Sequence, residues 1–183
     1  MREINLRISG RGGQGIVLAG KILGTAIAKS GKEVMYTQEY GSRARGGVVY
    51  SDLIISDSEV NEVLIEEADV LVVMSQNAFN TQLHILKEQG TLIVNGDLVA
   101  LEGTLNTSNV EVVPFTTLGR NAGHEKTANM AMIAYLNERF DFIPEEDLKR
   151  AMQESLSVML EENRKAFELG RTKATASKDN STP

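Results

Sequence analysis

Six residues near the amino terminus, GRGGQG at positions 10–15, limit the possible folds more than any other part of this sequence. Before them, Ile4, Leu6 and Ile8 alternate with polar residues, which predicts a β-strand. After them, apolar residues recur at helical spacing up to position 27, and Gly31 stands where a left-handed helix cap is usually glycine. The sequence therefore predicts a strand, a glycine turn and a helix, and the unpaired N–H groups at the start of such a helix suit an anion.

Strand patterns and helix patterns alternate along the rest of the chain. Further strands are predicted over residues 32–38, 48–56, 68–75, 91–97 and 110–115. Helices are predicted over residues 77–90 and 125–140, after Pro144, and in a last segment that runs to about Leu169 with Gly170 as its cap. This alternation predicts a single-domain α/β fold, a Rossmann-like three-layer sandwich with a mainly parallel sheet. The domain spans residues 1–170 in this prediction, and residues 171–183 form a polar C-terminal tail.

The composition argues against several classes of function. The formal net charge is -6, from 19 basic and 25 acidic residues, which is unfavourable for nucleic-acid binding. The chain has no cysteine, so it offers no disulfide, no thiolate nucleophile and no cysteine ligand for zinc or an iron-sulfur cluster. The start, MREINLRISG, lacks the apolar segment of a signal peptide, and no run of apolar residues approaches the length of a membrane span. We therefore expect a cytoplasmic protein that does not enter a membrane.

The glycine turn also matches a dinucleotide-binding pattern, because Gly10, Gly12 and Gly15 satisfy G-x-G-x-x-G. That pattern requires an acidic residue at the end of the second strand to bind the ribose hydroxyls. Glu39 is the acid in that region, and it comes late. Gly13 and Gln14 are also unusual in a nicotinamide-binding loop, so the sequence argues against NAD. A simpler interpretation is that some of these glycines only allow a helix and a strand to pack closely.

A second loop, EYGSRARGG at positions 39–47, holds Arg43 and Arg45 between glycines. Because loops at the carboxyl ends of parallel strands gather at one edge of a sheet, we expect this loop to lie beside the glycine turn. With Arg11, the two arginines would form a site for a phosphate or a carboxylate. The alternative is a solvated loop whose arginines pair with surface acids.

No catalytic machinery is recognisable in the sequence. No carboxylate pair, Ser-His-Asp set or metal-ligand spacing stands out, so we predict neither a catalytic residue nor a metal site. His84 is interpreted as a surface or interface histidine, and His124 as a helix cap. Asp52, Asp57 and Glu59 are interpreted as residues of a strand edge and a turn.

Four segments, in this order and with this spacing, are similar to those of one known family. They are GRGGQG at 10–15, TQEYGSRARGG at 37–47, ADVLVVMSQNAF at 68–79 and NRKAFELG at 163–170. Over residues 4–170, the sequence resembles the gamma subunit of the 2-oxoacid:ferredoxin oxidoreductases. The sequence of the second segment resembles that of the 2-oxoglutarate enzymes more than that of the pyruvate enzymes. The resemblance implies a multi-subunit enzyme that converts 2-oxoglutarate to succinyl-CoA, and passes the electrons to ferredoxin or flavodoxin through the complex.

The resemblance also implies how the cofactors are divided among the subunits. Thiamine diphosphate and the iron-sulfur clusters would belong to sister subunits of the alpha, beta and delta types, and this chain would bind no cofactor tightly. It would contact coenzyme A and help assembly, and it would not be active alone. The residues carried over as cofactor-binding are those of the two matching loops: Gly10, Arg11, Gly12, Gly13, Gln14, Gly15, Tyr40, Gly41, Arg43, Arg45, Gly46 and Gly47.

Two alternatives stay open at this point. The chain could be the gamma subunit of a pyruvate, indolepyruvate or branched-chain 2-oxoacid enzyme, since residues on sister subunits would decide the substrate. It could also be a stand-alone nucleotide-binding regulatory domain. Neighbouring genes for thiamine-binding and ferredoxin-like subunits would favour a subunit of an oxidoreductase over the regulator.

Overall fold

The computed structural model describes residues 3–40, 47–101, 103, 105 and 107–179. Residues 178 and 179 are described by their backbone alone. Gly41, Arg43, Arg45 and Gly46 lie outside the described residues. The strands are β1 Glu3–Arg11, β2 Glu33–Tyr40, β3 Val48–Ser56, β4 Ala68–Val73, β5 Leu86–Asn95 and β6 Val110–Val113. The α-helices are α1 Ile16–Lys29, α2 Gln76–Gln82, α3 Phe115–Ala122, α4 Ala128–Phe140, α5 Glu145–Ser155 and α6 Leu160–Asp179, with 3-10 turns at Leu83–Ile85 and Glu125–Thr127.

In the described part of the chain, the strands form one six-stranded sheet in the order β2-β3-β1-β4-β5-β6. β1, β4, β5 and β6 are parallel, whereas β3 runs antiparallel to both of its neighbours. Residues 41–47 between β2 and β3 are too few for the crossover that parallel neighbours need, so the two strands are antiparallel. The prediction of an α/β fold with a mainly parallel sheet is confirmed, with β3 as the exception.

The sheet has an apolar cluster on each face. Leu6 and Ile8 of β1 face the first cluster, which is covered by α1, α3, α4, α5 and α6. Leu71 and Val73 of β4 face the second cluster, which is covered by α2 and neighbouring loops. β4 is therefore buried on both faces, as its continuous apolar run predicts.

The helix predicted over residues 77–90 is shorter than expected. α2 ends at Gln82, and β5 already begins at Leu86 after a 3-10 turn. Leu86 pairs with Ala68 of β4 ahead of a register shift, so sheet pairing captures residues that a helical pattern would also accommodate. α3 was not predicted, because its eight residues include two threonines and a glycine, which are weak helix formers.

Gly170 does not cap the last helix, which continues through it to Asp179. A Cβ at this position would clash with the backbone carbonyl of Ala131 in α4, so the glycine lets the two helices approach closely. Ala174, beyond the predicted end, is fully buried. The predicted helix end at Leu169 is therefore wrong, while the division into a domain and a tail at residue 170 stays a prediction.

Asp52 is not a residue of a strand edge. β3 lies between β2 and β1, and Asp52 faces Arg7 of β1 directly across the sheet. The two side chains form a forked ion pair at 2.7 and 2.5 Å, and Asp52 is only 4% exposed. Asp57 and Glu59 follow the end of β3 and are exposed, as expected of turn residues.

Candidate functional site

The glycine turn between β1 and α1 has a fixed backbone geometry. Gly15, which precedes the first residue of α1, adopts a left-handed conformation with φ of 71°. Its carbonyl oxygen accepts a hydrogen bond from the side-chain amide of Asn129 in α4 at 3.3 Å, and a Cβ on Gly15 would clash with that amide. Glycine is required here both by the backbone angle and by the neighbouring side chain.

The side chain of Gln14 holds the turn against the end of β4. Its Nε2 donates to the carbonyl oxygen of Met74 at 2.7 Å, and its Oε1 accepts from the backbone N–H of Arg11 at 2.6 Å. The N–H of Met74 in turn donates to the carbonyl oxygen of Ser9 at 2.8 Å. Gln14 is therefore used to position the turn, which a sequence motif alone does not reveal.

A cavity of about 330 Å³ opens beside this turn at the carboxyl edge of the sheet. Arg11, Gly12 and Gly13 line one side of it, and Thr116 and Arg120, one helical turn apart on α3, line another. Lys126 and Ala128 complete the wall at the start of α4. The cavity therefore faces the amino ends of α3 and α4, where helix dipoles favour negative charge.

Three cationic side chains line this cavity, namely Arg11, Arg120 and Lys126. In the described part of its wall, the one acidic residue, Glu125, is paired with Arg120 at 3.1 Å. Among the described residues, no acidic side chain lies within ion-pair distance of Arg11 or Lys126. In a chain with a net charge of -6, this local excess of positive charge would attract an anion. We name it the anion cavity.

Sequence reasoning missed Arg120 and Lys126, because their position depends on α3. That helix is held by two residues that follow the apolar part of β5. Asn95, fully buried, donates from Nδ2 to Thr116 Oγ1 at 2.9 Å. The carboxylate of Asp97 accepts from the N–H and the hydroxyl of Thr117, both at 2.7 Å. The segment NGD at 95–97 therefore positions α3, which lines the cavity.

The two histidines occupy the structural positions that the sequence predicts. His124 caps the 3-10 turn Glu125–Thr127, because its Nδ1 accepts a hydrogen bond from the N–H of Lys126 at 3.1 Å. His84 is exposed on the turn after α2. Both interpretations from the sequence are confirmed.

The arginine loop starts and ends at the same edge of the sheet as the glycine turn. Tyr40 pairs with Val49, which pairs on its other side with Gly10, and Val48 pairs with Arg11. Tyr40, on β2, is therefore separated from the turn by β3, which corresponds to about 10 Å between the axes of β2 and β1. Gly47, just before β3, lies closer to the turn. The arginines themselves lie outside the described residues, so their role stays a prediction.

Further from this edge, an ion pair and an aromatic ring connect β2 and β3 with β1. The guanidinium of Arg7 lies 3.9 Å from the ring centre of Tyr50 and also donates to Gln82 at 3.0 Å. The hydroxyl of Tyr50 donates to the carboxylate of Glu39 on β2. Burial, and then this carboxylate, raise the pKa of Tyr50 to about 12. Burial also raises the pKa of Asp52, against the opposing effect of Arg7.

The insertion of β3 also bears on the dinucleotide interpretation. The acid at the end of β2, Glu39, lies across β3 from the glycine turn and is hydrogen-bonded to Tyr50. In a nicotinamide-binding fold the corresponding strand is adjacent to β1, so that its acid reaches the ribose. The sheet order therefore argues against NAD, as the sequence does.

Exposed apolar side chains lie at the same edge of the sheet as the anion cavity. Leu98 lines it, Leu101 follows in the same loop, and Tyr40 stands at the start of the arginine loop. Leu18, in the first turn of α1, is also partly exposed. Large apolar side chains gathered at one edge are typical of a surface that another protein covers.

The described residues offer no metal site and no membrane-spanning helix. No group of three or more histidine, aspartate or glutamate side chains within the described ranges could hold a metal ion. None of the helices placed in the structure is both long enough and apolar enough to cross a bilayer.

Known proteins match this chain over most of its length. A family model described as pyruvate ferredoxin/flavodoxin oxidoreductase matches residues 5–173. The 2-oxoglutarate synthase subunit KorC of Methanothermobacter thermautotrophicus is 36% identical over 174 residues, which cover 91% of this chain and 92% of that protein. The Pyruvate/ketoisovalerate oxidoreductases common subunit gamma of Thermococcus kodakarensis is 30% identical and covers 90% of this chain and 94% of that protein.

A solved structure shows the same fold. The gamma subunit of keto/oxoacid ferredoxin oxidoreductase from Geobacter sulfurreducens superposes with a TM-score of 0.81 at 32% identity. The match covers 94% of this chain and 99% of that subunit.

Proposed function

Since the chain belongs to the pyruvate ferredoxin/flavodoxin oxidoreductase family, we propose that it is the gamma subunit of an enzyme that oxidatively decarboxylates 2-oxoglutarate to succinyl-CoA. The observation that carries the proposal is the 36% identity to a 2-oxoglutarate synthase subunit over nearly the whole of both chains. The alternative substrates are pyruvate and branched-chain 2-oxoacids, because a gamma subunit common to the pyruvate and ketoisovalerate enzymes also matches, at 30% identity. All these relatives are named as subunits, which speaks against a stand-alone regulator.

Within the enzyme, this chain would bind the anionic part of coenzyme A. The anion cavity offers the backbone of Gly12 and Gly13 and the cations Arg11, Arg120 and Lys126 to phosphate groups. Arg43 and Arg45 would add two guanidinium groups from the neighbouring loop. Thiamine diphosphate would supply the decarboxylation chemistry on a sister subunit, and the iron-sulfur clusters would have their ligands there too, since this chain has no cysteine.

The chain's own residues would hold coenzyme A in place and leave the reaction to the sister subunits. Gln14 and Asn129 hold the glycine turn in place through hydrogen bonds. The backbone groups that would contact the phosphates would therefore be positioned before coenzyme A binds, which lowers the entropic cost of binding. Leu98, Leu101 and Tyr40 around the cavity would be covered by alpha-, beta- or delta-type subunits in the assembled, cytoplasmic enzyme. Ferredoxin or flavodoxin would receive the electrons through the complex.

Reconstitution of the complex tests this function. The complex with this chain should reduce a viologen dye with 2-oxoglutarate and coenzyme A, whereas the isolated chain should not. A complex that uses pyruvate or a branched-chain 2-oxoacid in preference would contradict the choice of substrate. Turnover that does not depend on this chain would contradict its place in the enzyme.

A cavity-filling variant tests the binding role. Gly12→Val adds bulk at the cavity wall, where a Cβ would meet nothing within 4 Å and the backbone is not left-handed. The variant should therefore fold and assemble normally but bind coenzyme A weakly. Unchanged kinetics with coenzyme A would show that the turn only serves packing.

A further inference from the structure

A second and larger cavity, of about 640 Å³, lies at the opposite, amino edge of the sheet. It is lined by Glu3 and Asn5 of β1, by loop residues 61–67 apart from Ile65, and by Lys87 of β5. We name it the amino-end cavity. The parallel strands separate it from the anion cavity, so its occupant cannot be the group that the glycine turn would bind.

The walls of the amino-end cavity are strongly acidic. Four glutamates line it, and among the described residues none of them has a lysine or arginine within ion-pair distance. Lys87, the single cation among the described residues of the wall, is already paired with Asp69 at 2.6 Å. The acids are Glu3, Glu62, Glu66 and Glu67. The negative charge of the cavity is thus not compensated within the described part of the chain, and it would attract cations.

Two large apolar side chains stand beside these acids. Val63 and Leu64 are 58% and 68% exposed. Their exposure does not come from a loosely attached loop, because Ile65 next to them is buried in the second apolar cluster and Val60 packs against it. The loop is therefore held so that it presents Val63 and Leu64 outward, a costly arrangement unless something covers them.

Hydrogen-bond acceptors predominate at this edge of the sheet. The side-chain oxygen of Asn5 is buried and has no donor among the described residues, while the N–H of Asn5 donates to Asp69 at 2.8 Å. The acceptors that an occupant could reach are the four exposed carboxylates, which have no ion-pair partner in the described part of the chain. They match the side chains of arginine and lysine, which only donate.

We propose that the amino-end cavity is a docking surface for a basic segment of another polypeptide, which places arginine or lysine side chains against the glutamates and a large apolar side chain on Val63 and Leu64. The uncompensated acids select a cationic partner, and the exposed apolar pair selects a polypeptide over a small cation. An acidic electron carrier or a nucleic acid would be repelled. This proposal does not depend on the proposed function, because it rests on the opposite edge of the sheet.

Binding of a model peptide to the full-length chain tests the proposal. The probe is a short labelled peptide in which arginine and leucine alternate, and the control peptide has glutamate in place of arginine. Fluorescence anisotropy should show binding of the basic peptide alone, with an affinity that falls as salt is added. Leu64→Ser and the double variant Glu66→Gln/Glu67→Gln should each weaken binding about tenfold. The side chains are exposed, so neither variant should unfold the chain.

A matched control removes the same charge elsewhere. Glu33→Gln/Glu146→Gln changes two exposed glutamates outside the cavity and should bind the basic peptide like the wild type. Equal losses in the control and the cavity variants would mean non-specific attraction and would overturn the proposal. So would equal binding of spermidine, which would indicate a simple cation site. Self-association that Leu64→Ser abolishes would show that a second copy of the chain occupies the surface instead.

Discussion

The side-chain amide of Asn129 donates to the carbonyl oxygen of Gly15 at 3.3 Å and occupies the space that a Cβ on Gly15 would need. The two residues are 114 positions apart in the sequence. Asn129 belongs to the first turn of α4, next to the cavity-lining residues Lys126 and Ala128. This contact therefore fixes the glycine turn and the opposite wall of the anion cavity relative to each other.

Gly15→Ala should destabilise the fold by about 2–3 kcal/mol, because it forces a left-handed alanine and displaces Asn129. Gly12→Ala is the matched control, since its Cβ would lie in open space with an ordinary backbone angle. Urea unfolding of the isolated chain should show a lower midpoint for the first variant and little change for the second. Equal midpoints for Gly15→Ala and the wild type would show that the turn can move away from α4.

The fold class was predictable because the apolar patterns that identify strands and helices are local. The orientation of β3 is also contained in the sequence, in the short spacing between Tyr40 and Val48, although alternation alone favours a parallel sheet. Gly170 shows where local reasoning fails, because a glycine that ends a helix and a glycine that allows a helix contact look alike in sequence. Only the position of Ala131 distinguishes the two.

The candidate site was predictable on one side only. The glycine turn is recognisable from consecutive residues, whereas Arg120 lies on α3, whose position depends on Asn95 and Asp97. Lys126 lies on the 3-10 turn that follows α3. No pattern of spacing relates these residues to Arg11. Asp52 was misinterpreted for the same reason, since its partner Arg7 becomes its neighbour only when β3 inserts beside β1.

The pKa of Tyr50 predicts a loss of stability at alkaline pH. Its value in the folded chain is about 12, above the ordinary value of 10.0, because burial and the carboxylate of Glu39 oppose the phenolate. A raised pKa means that the contribution to stability is complete below about pH 10 and is lost as the pH rises through about 12. Tyr50→Phe should remove this part of the decline.

Urea unfolding at several pH values between about 9 and 12 would measure the effect as the difference between the wild type and Tyr50→Phe. The difference isolates Tyr50 from other groups that titrate in the same range, among them Tyr36, whose pKa burial also raises. Parallel stability curves for the two proteins would show that Tyr50 titrates in the folded state as it does in the unfolded state.

The end of α6 should contribute to stability although its sequence is polar. Ala174 is fully buried in the first apolar cluster, four residues beyond Gly170. A chain that ends after Gly170 would lose this burial and should be less stable by about 1–3 kcal/mol. A chain that ends after Asp179 is the control and should unfold like the full chain. Equal melting temperatures for both truncated chains would support the division at residue 170 into a domain and a dispensable tail.

The cations of the anion cavity should determine the affinity for coenzyme A. Arg120→Ala and Lys126→Ala should each raise the apparent KM for coenzyme A of the reconstituted complex by about tenfold, because a hydrogen bond to a charged group contributes about 1.5–3 kcal/mol. Arg120→Ala should have the larger effect, since it also leaves Glu125 without its partner in the cavity. Arg43→Ala and Arg45→Ala should act in the same direction if the arginine loop contacts coenzyme A.

The KM for 2-oxoglutarate and the assembly of the complex distinguish ligand binding from an interface role. Both should stay near the wild-type values in these variants if the cations bind coenzyme A. Arg164→Ala is the matched control, because this exposed arginine pairs with Glu161 on α6, outside the anion cavity. Loss of assembly in Arg120→Ala and Lys126→Ala would assign the two residues to a subunit interface. Normal coenzyme A kinetics in an intact complex would refute the binding role, because the loss of a cation that contacts coenzyme A must weaken its binding.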